Sequence, residues 1–419
     1  MMPLRARLKD AALTALIALI LALPLAGVRT EDGLDGVLIH WRIGAVCIAT
    51  FAVFCGRLLL GLFVQKLRGR KIALPEKLTA IGANFNLLSV IFILAAIAFP
   101  FTPLATRYSL DVSTMVLTYI MLAFGLNITV GYAGLLDLGY AGFYALGAYC
   151  YALLAQHTGI GFWACLPLAG GVAAATAFIL GFPVLRLRGD YFAVVTLGFG
   201  EIVRLFLINW TSLTNGPNGI SDIARPTLFG LEFSRTAAAG HAAFNDFFHM
   251  DFDPIQRVMF LYFVILVLAL LVGLFAARLR RLPLGRAWEA FREDEIACAS
   301  LGINSTWIKS AAYSLGALVA GLAGAFLAAR QGFVSPESFT FTESATILAI
   351  VILGGVGHPL GIVLAAFFII GLPELFREFE QYRMLAFGAG MVLIMVWRPG
   401  GLMAAREPSV TLPFKESPP

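Results

Sequence analysis

The chain has 419 residues, of which 59% are hydrophobic and only 13% are charged, and its mean hydropathy is +0.86. This composition excludes a soluble globular domain and predicts a membrane protein. The net charge of +5 does not indicate nucleic-acid binding, because the basic residues cluster beside apolar runs, where such charges orient loops.

The N-terminal segment places Arg5, Arg7 and Lys9 ahead of an apolar run at 11–28. Such a run is either a cleaved signal peptide or a retained first span. We expect a retained span, because no clear small-residue cleavage site follows and a second apolar segment comes soon after.

Apolar runs continue along nearly the whole chain. The candidate spans are 12–28, 43–64, 84–104, 112–131, 133–156, 162–183, 191–209, 257–277, 309–330, 342–356, 360–373 and 384–397. Several are shorter than the ~20 residues that cross a bilayer, so half-helices are expected among them. The sequence predicts an all-α, polytopic membrane helix bundle with about nine to twelve spans or half-spans, some of them discontinuous.

Three regions are expected. Residues 1–83 form an N-terminal membrane extension of about two spans and a basic cytoplasmic loop, residues 84–402 form the main membrane domain, and residues 403–419 form a cytoplasmic tail.

Four basic clusters are separated by even numbers of candidate spans: the N-terminus, 66–77, 186–188 and 278–286. All four can therefore lie in the cytoplasm, as the positive-inside rule requires, and the N-terminus is predicted to be cytoplasmic. The same count of spans places 210–256 outside the cell, either as a solvated connector or as a docking surface for an external partner.

Motifs for catalysis are missing from the sequence: it has no GxxxxGK[ST] phosphate loop, no HExxH zinc helix and no GxSxG elbow. The chain is therefore predicted not to be an enzyme and not to carry its own ATPase site. The five cysteines have no CxxC pair and no nearby histidine cluster, so no metal site is expected.

Glycines are concentrated inside the apolar segments, where they let helices approach closely or break. The stretch 125–142 combines five glycines with Asn127 and Asp137, and a second interrupted region follows at 353–373. Paired broken segments are expected near the path of a transporter. The residues predicted to line that path are Asn127, Gly131, Gly134, Asp137, Gly355 and Gly357.

Four ionisable residues fall within apolar segments, where charge is costly: Asp137, Glu201, Arg204 and Glu343. Such residues often face a cavity or a partner. Glu201 and Arg204 are one helical turn apart, and we expect them to pair with each other.

The predicted cytoplasmic loop at 285–304 is rich in Glu, Arg and Ala and contains Gly302 near its end, which favours a short helix. Trp288, Phe291 and Glu295 follow an i, i+3, i+7 line. An apolar stripe beside a dense charged face suits a helix that lies in a partner's groove. The alternative is an ordinary charged loop.

This loop, from Glu289 to Asn304, resembles the ATPase-contacting loop of the permeases of ABC importers, in the variant typical of branched-chain amino-acid permeases of the LivM type. The glycine-rich block 125–149 and the ending Arg398-Pro399-Gly400-Gly401-Leu402 are similar to the same family. The resemblance covers about residues 110 to 402, which would make 84–402 the ABC-importer permease domain.

The resemblance implies a transport subunit of a bacterial inner-membrane importer of leucine, isoleucine and valine. Its expected partners are a second permease in a heterodimer, two cytoplasmic ATPases that use the ATP, and an external solute-binding protein; no cofactor is bound directly. ATPase contact is carried over to Glu289, Ala290, Arg292, Glu293, Asp294 and Gly302. A urea or short-amide permease, and a passive channel or ion-coupled transporter, stay as alternatives.

Overall fold

The structure is a computed structural model that describes residues 28–33, 36–41, 44, 85–103, 105–185, 190–228, 231–232, 242–243, 253–375, 388 and 401–403. The chain divides into two compact units, Met1–Leu88 and Ser89–Pro419. Nearly all of the spans predicted at 43–64 and 384–397, most of the span at 12–28 and nearly all of the tail fall outside the described residues. The predicted domain boundaries stay predictions.

In the first unit, strands β1 (Val28–Gly33) and β2 (Gly36–Trp41) pair in an antiparallel hairpin. Val28, which the span predicted at 12–28 included, therefore begins a strand.

The remaining described chain is mainly helical. The longer helices are α1 (Phe85–Ala98), α2 (Arg107–Leu126), α3 (Tyr140–Thr158), α4 (Phe162–Val184), α5 (Asp190–Asn209), α6 (Pro254–Arg281), α7 (Pro283–Glu293), α8 (Glu295–Ser300), α9 (Ser305–Gln331), α10 (Phe341–Gly354) and α11 (Pro359–Ala366). The shorter pieces are 3-10 turns at Phe99–Phe101, Gly216–Asn218 and Pro336–Ser338, π-helical segments at Asn127–Tyr132 and Phe367–Gly371, one-turn helices at Thr211–Thr214 and Leu372–Leu375, and strands β3 (Leu231–Glu232) and β4 (Ala242–Ala243).

Six helical segments in the described part are long and apolar enough to cross a membrane: Arg107–Tyr132, Phe162–Val184, Tyr191–Asn209, Pro254–Arg281, Ser305–Gln331 and Pro336–Gly354. Two shorter apolar helical segments accompany them, at Ser89–Phe101 and Pro359–Glu374. The predicted fold class, an all-α polytopic bundle, is confirmed.

One predicted span begins later than expected. The apolar run at 133–156 corresponds to α3, which starts only at Tyr140. The intervening residues are not helical because Gly134 has a φ of +72°, a left-handed conformation that ends a right-handed helix. The chain is thus broken between α2 and α3, as the glycine-rich sequence predicted.

Helix α9 lies at the centre of the bundle and packs against α3 and α4 through small residues. A Cβ on Gly147 of α3 would overlap the backbone carbonyl of Gly321 of α9, and a Cβ on Gly321 would come within 2.7 Å of the Ala169 carbonyl oxygen of α4. These helices therefore touch backbone to backbone, a contact that only glycine permits.

We expect Gly321→Val to destabilise the bundle by about 1–3 kcal/mol or more, because the new side chain forces α4 and α9 apart. The measurement is the thermal unfolding midpoint of the detergent-solubilised protein. The matched control is Gly171→Val on α4, since nothing lies within 4 Å of a Cβ at Gly171. Equal midpoints for the two variants would contradict this packing.

At the end of the bundle remote from α7 and α8, the segment 210–228 is bound to the rest of the chain. Ile220 and Val334 exchange backbone hydrogen bonds of 2.9 and 3.0 Å, and the Trp163 indole donates to the Thr227 carbonyl at 2.8 Å. This part of the predicted external loop is a packed element.

Candidate functional site

The loop between α6 and α9 folds into two short helices, α7 and α8. We call the end of the bundle where they lie the loop end. Asp294 separates them: its Oδ1 accepts from the backbone N–H groups of Ile296 at 2.9 Å and Ala297 at 3.0 Å, which is the N-cap that starts α8. Gly302 follows α8 with a φ of +82°. The helical prediction for this loop is confirmed.

The apolar stripe of α7 packs against the protein's own spans. Trp288 is fully buried and Phe291 is 5% exposed. The Trp288 indole donates to the Ile308 carbonyl at 2.8 Å, and the Lys309 ammonium lies 5.0 Å from the centre of the Phe291 ring. The protein's own helices therefore cover Trp288 and Phe291. Whether the exposed face of this helix lies in a partner's groove stays a prediction.

Two ion pairs tie the loop to the spans on either side. Arg280 Nε of α6 lies 2.7 Å from Glu289 Oε1 of α7. Lys309 Nζ of α9 lies 2.9 Å from Glu295 Oε1 of α8, and the Ser305 hydroxyl also donates to Glu295. Because all four charged side chains are at least partly buried, these pairs are screened less than surface pairs. The loop and both spans are therefore joined mechanically.

Arg292 joins α7 to the broken end of α2. Its guanidinium donates to the backbone carbonyl of Gly131 in the π-helical segment. A Cβ on Gly134 would come within 2.8 Å of Cγ of Arg292, so the side chain lies against the break. A π-helical segment has a displaced hydrogen-bond ladder, and the arginine binds a carbonyl within it.

A second contact reaches the same break from the turn between α10 and α11. Asn127 Oδ1 accepts from the backbone N–H of Gly357 at 2.9 Å. Gly355 and Gly357 have φ values of +102° and +93°, which favour glycine at both positions. The backbone N–H of Leu402 also donates to the Leu353 carbonyl at 2.7 Å, so the end of the main domain closes on this turn.

The structure thus brings five of the six predicted path residues together, namely Asn127, Gly131, Gly134, Gly355 and Gly357. Asp137 lies further along the connection to α3, where it is 1% exposed and accepts from the Gly139 backbone N–H at 2.9 Å. Their role as path-lining residues stays a prediction.

The six residues predicted to contact the ATPase fall on two faces of the loop. Ala290, Glu293, Asp294 and Gly302 are exposed, and beside them lie two exposed apolar side chains, Ile296 at 68% and Leu301 at 81%. Glu289 and Arg292 point into the protein, at Arg280 and Gly131. ATPase contact stays a prediction for all six residues, and the inward position of Glu289 and Arg292 favours it for the four exposed ones.

Among the predicted ionisable residues, Glu201 and Arg204 pair as expected, with 3.5 Å between Oε2 and NH1. The partner of Glu343 was not predicted: the Glu343 carboxylate accepts from the Tyr119 hydroxyl. These two residues are 224 positions apart, and no local pattern signals such a pair.

Two known protein families match parts of the chain. Residues 108–396 match the family described as the permease component of branched-chain amino acid transport systems, and residues 6–99 match a family described only as a domain of unknown function. No solved structure matches the chain.

Several curated relatives are similar. The chain is 51% identical over 409 residues to LivM, a high-affinity branched-chain amino acid transport permease of Salmonella typhimurium, with 95% of each chain covered. It is 50% identical to LivM of Escherichia coli, with 96% of each chain covered. It is 24% identical over 305 residues to LivH of Escherichia coli, with 69% of this chain and 92% of LivH covered. The chain therefore belongs to the family of permease components of branched-chain amino acid transport systems.

Proposed function

We propose that this chain is the LivM-type permease subunit of an ATP-driven importer of leucine, isoleucine and valine, and that it forms part of the translocation path. The cargo follows from the names of the relatives that are about half identical over nearly the whole chain. The observation that carries the mechanism is the contact of Arg292 with the Gly131 carbonyl, because it joins the loop to the broken path helix.

The loop is the part that receives the movement of a cytoplasmic ATPase. Its exposed face offers Ala290, Glu293, Ile296 and Leu301, a mixture of apolar and charged groups suited to a protein partner. Its inner face is held to α6 by Glu289 and to α9 by Glu295. A force on the exposed face therefore moves both spans together as a rigid body.

Arg292 carries this movement into the break between α2 and α3. The break also contacts the α10–α11 turn through Asn127 and Gly357. Discontinuous helices of this kind line the path in transporters, where non-helical backbone is covered by protein or by a watery cavity. Displacing α7 therefore shifts both broken segments at the loop end of the path.

The proposed partners are a second, LivH-like permease in a heterodimer, two cytoplasmic ATPases and an external solute-binding protein. The chain's similarity to both LivM and LivH supports a pair of related permeases. The proposed location is the bacterial inner membrane, with the N-terminus in the cytoplasm. ATP is used by the partner subunits, and the chain has neither a cofactor nor an ATPase site of its own.

The test is to purify the chain with its second permease and the ATPases, place the complex in lipid vesicles, and add the binding protein with and without leucine. We expect the leucine-loaded binding protein to accelerate ATP hydrolysis. ATP hydrolysis at the same rate with and without the loaded binding protein would contradict the proposal, as would failure of the complex to assemble. Leucine flux without ATP would favour a passive channel or an ion-coupled transporter.

A further inference from the structure

A carboxylate lies about midway along the bundle, at Glu343 in the first turn of α10. The Tyr119 hydroxyl donates to it, and Tyr119 is the thirteenth of the 26 residues of the segment Arg107–Tyr132. The adjacent Ser344 hydroxyl accepts from the backbone N–H of Ala141 at 2.8 Å, where α3 begins. The starts of α3 and α10 thus meet inside the bundle, and Glu343 lies at that meeting point.

No ion pair within the described part of the chain neutralises Glu343. The ion pairs formed there are Arg204 with Glu201, Arg280 with Glu289, Lys309 with Glu295 and Arg330 with Asp111. Arg330 is held by Asp111, at 3.4 Å from Oδ1 and 3.2 Å from the backbone oxygen. A carboxylate at membrane depth with a phenol as its partner is costly, and such residues mark substrate and ion pathways.

The face of α10 that carries Glu343 offers oxygen acceptors. Thr342 is exposed, Glu343 and Thr346 are half-buried, and the three fall within about a third of a turn on a helix of 100° per residue. The Thr346 hydroxyl donates its proton to the Thr342 carbonyl at 2.8 Å, so its remaining capacity is to accept. A stripe of acceptors beside a carboxylate suits a ligand with a positive charge and several N–H donors.

We propose that Glu343, held in place by Tyr119, receives the α-ammonium group of the amino acid during its passage. This inference rests on the proposed function for the identity of the cargo. An ammonium group has three N–H donors and a positive charge, which match a carboxylate oxygen and the neighbouring threonine oxygens. The Tyr119 hydroxyl occupies one carboxylate oxygen and leaves the other for the cargo.

The first experiment uses the complete complex in vesicles and measures both labelled-leucine uptake and ATP hydrolysis stimulated by the loaded binding protein. Glu343→Gln keeps an acceptor for Tyr119 and removes the charge. We expect it to lower uptake about tenfold or more, because losing a hydrogen bond to a charged group has about this effect. Stimulated hydrolysis should stay within about twofold of that of the unaltered complex. Tyr119→Phe keeps the charge, and we expect it to lower uptake about two- to fivefold.

The control is Glu337→Gln, a carboxylate exposed in the turn before α10, which should behave as the unaltered complex. Unchanged uptake in Glu343→Gln would overturn the assignment. A loss of uptake in Tyr119→Phe as large as that in Glu343→Gln would also overturn it, because it would indicate that the hydrogen bond is structural. An equal loss of stimulated hydrolysis in Glu343→Gln would overturn it too, because it would indicate a role in coupling.

The second experiment does not depend on the cargo. Thr346→Cys is introduced after replacing the natural cysteines, which are Cys47, Cys55, Cys150, Cys165 and Cys298, and its reaction with water-borne thiol reagents of either charge is timed. We expect the cationic reagent to react faster than the anionic one, and Glu343→Gln to remove the difference. Equal rates in the Thr346→Cys protein that keeps Glu343, or no reaction with either reagent, would refute a cation-attracting path at Glu343. Failure of the unaltered complex to take up leucine would count against the proposed function alone.

Discussion

Replacing Arg292 with alanine is expected to lower ATP-driven leucine uptake about 10- to 100-fold and to leave the ATPases attached to the permease. The guanidinium points into the protein at the Gly131 carbonyl, so its removal breaks the contact between α7 and the broken helix of the proposed path. A hydrogen bond from a charged group contributes about 1.5–3 kcal/mol, which corresponds to about 10- to 100-fold. Uptake, stimulated hydrolysis and co-purification of the ATPases are measured on the same preparation.

Two further variants sharpen this result. Gly134→Ala should give the same pattern, because its methyl group would come within 2.8 Å of Cγ of Arg292 and because Gly134 has a positive φ. Arg278→Ala, at an exposed arginine in the last turn of α6, should transport normally. Loss of the ATPases from the Arg292→Ala complex would contradict the account, since it would mean that Arg292 contacts the ATPase itself.

The opposite pattern is expected on the exposed face of the loop. The double replacement Ile296→Asp and Leu301→Asp puts two carboxylates where the proposed ATPase surface is apolar and 68% and 81% exposed. Burying unpaired charges in an interface costs several kcal/mol. We therefore expect ATPase attachment to weaken at least about 100-fold, with loss of stimulated hydrolysis and uptake together.

The matched control is Ile296→Val with Leu301→Met, which keeps apolar side chains of similar size at both positions and should retain attachment. Thermal unfolding of the permease alone should be unchanged in both pairs, because these side chains are exposed. Normal attachment of the aspartate variant would place the ATPase contact elsewhere.

Much of the helical fold was predictable because apolar run length is a direct consequence of membrane thickness. The helices at Phe162–Val184 and Asp190–Asn209 begin and end within a residue of the runs predicted at 162–183 and 191–209. The break before Tyr140 was predicted from its glycines, but its length was not. That length depends on the backbone conformation of Gly134 and on the contact of Gly139 with Gly200, and both are set by tertiary packing.

The candidate site was only half predictable. The sequence placed Trp288 and Phe291 on one stripe, yet helical periodicity shows only that a face is apolar and does not tell which surface covers it. The structure buries this stripe on α9 and leaves Ile296 and Leu301 exposed. The contact between Arg292 and Gly131 joins residues 161 positions apart, so no local pattern predicts it.

The central claim is ATP-driven import of branched-chain amino acids, and uptake by the complete complex tests it most directly. Vesicles with both permeases, the ATPases and the binding protein are loaded with ATP or ADP on the ATPase side and given labelled leucine. Excess valine or excess urea is then added as a competitor. The account predicts uptake that requires ATP and the binding protein and that valine suppresses and urea does not. Uptake with ADP, or ATP-driven uptake that urea suppresses and valine does not, would contradict it.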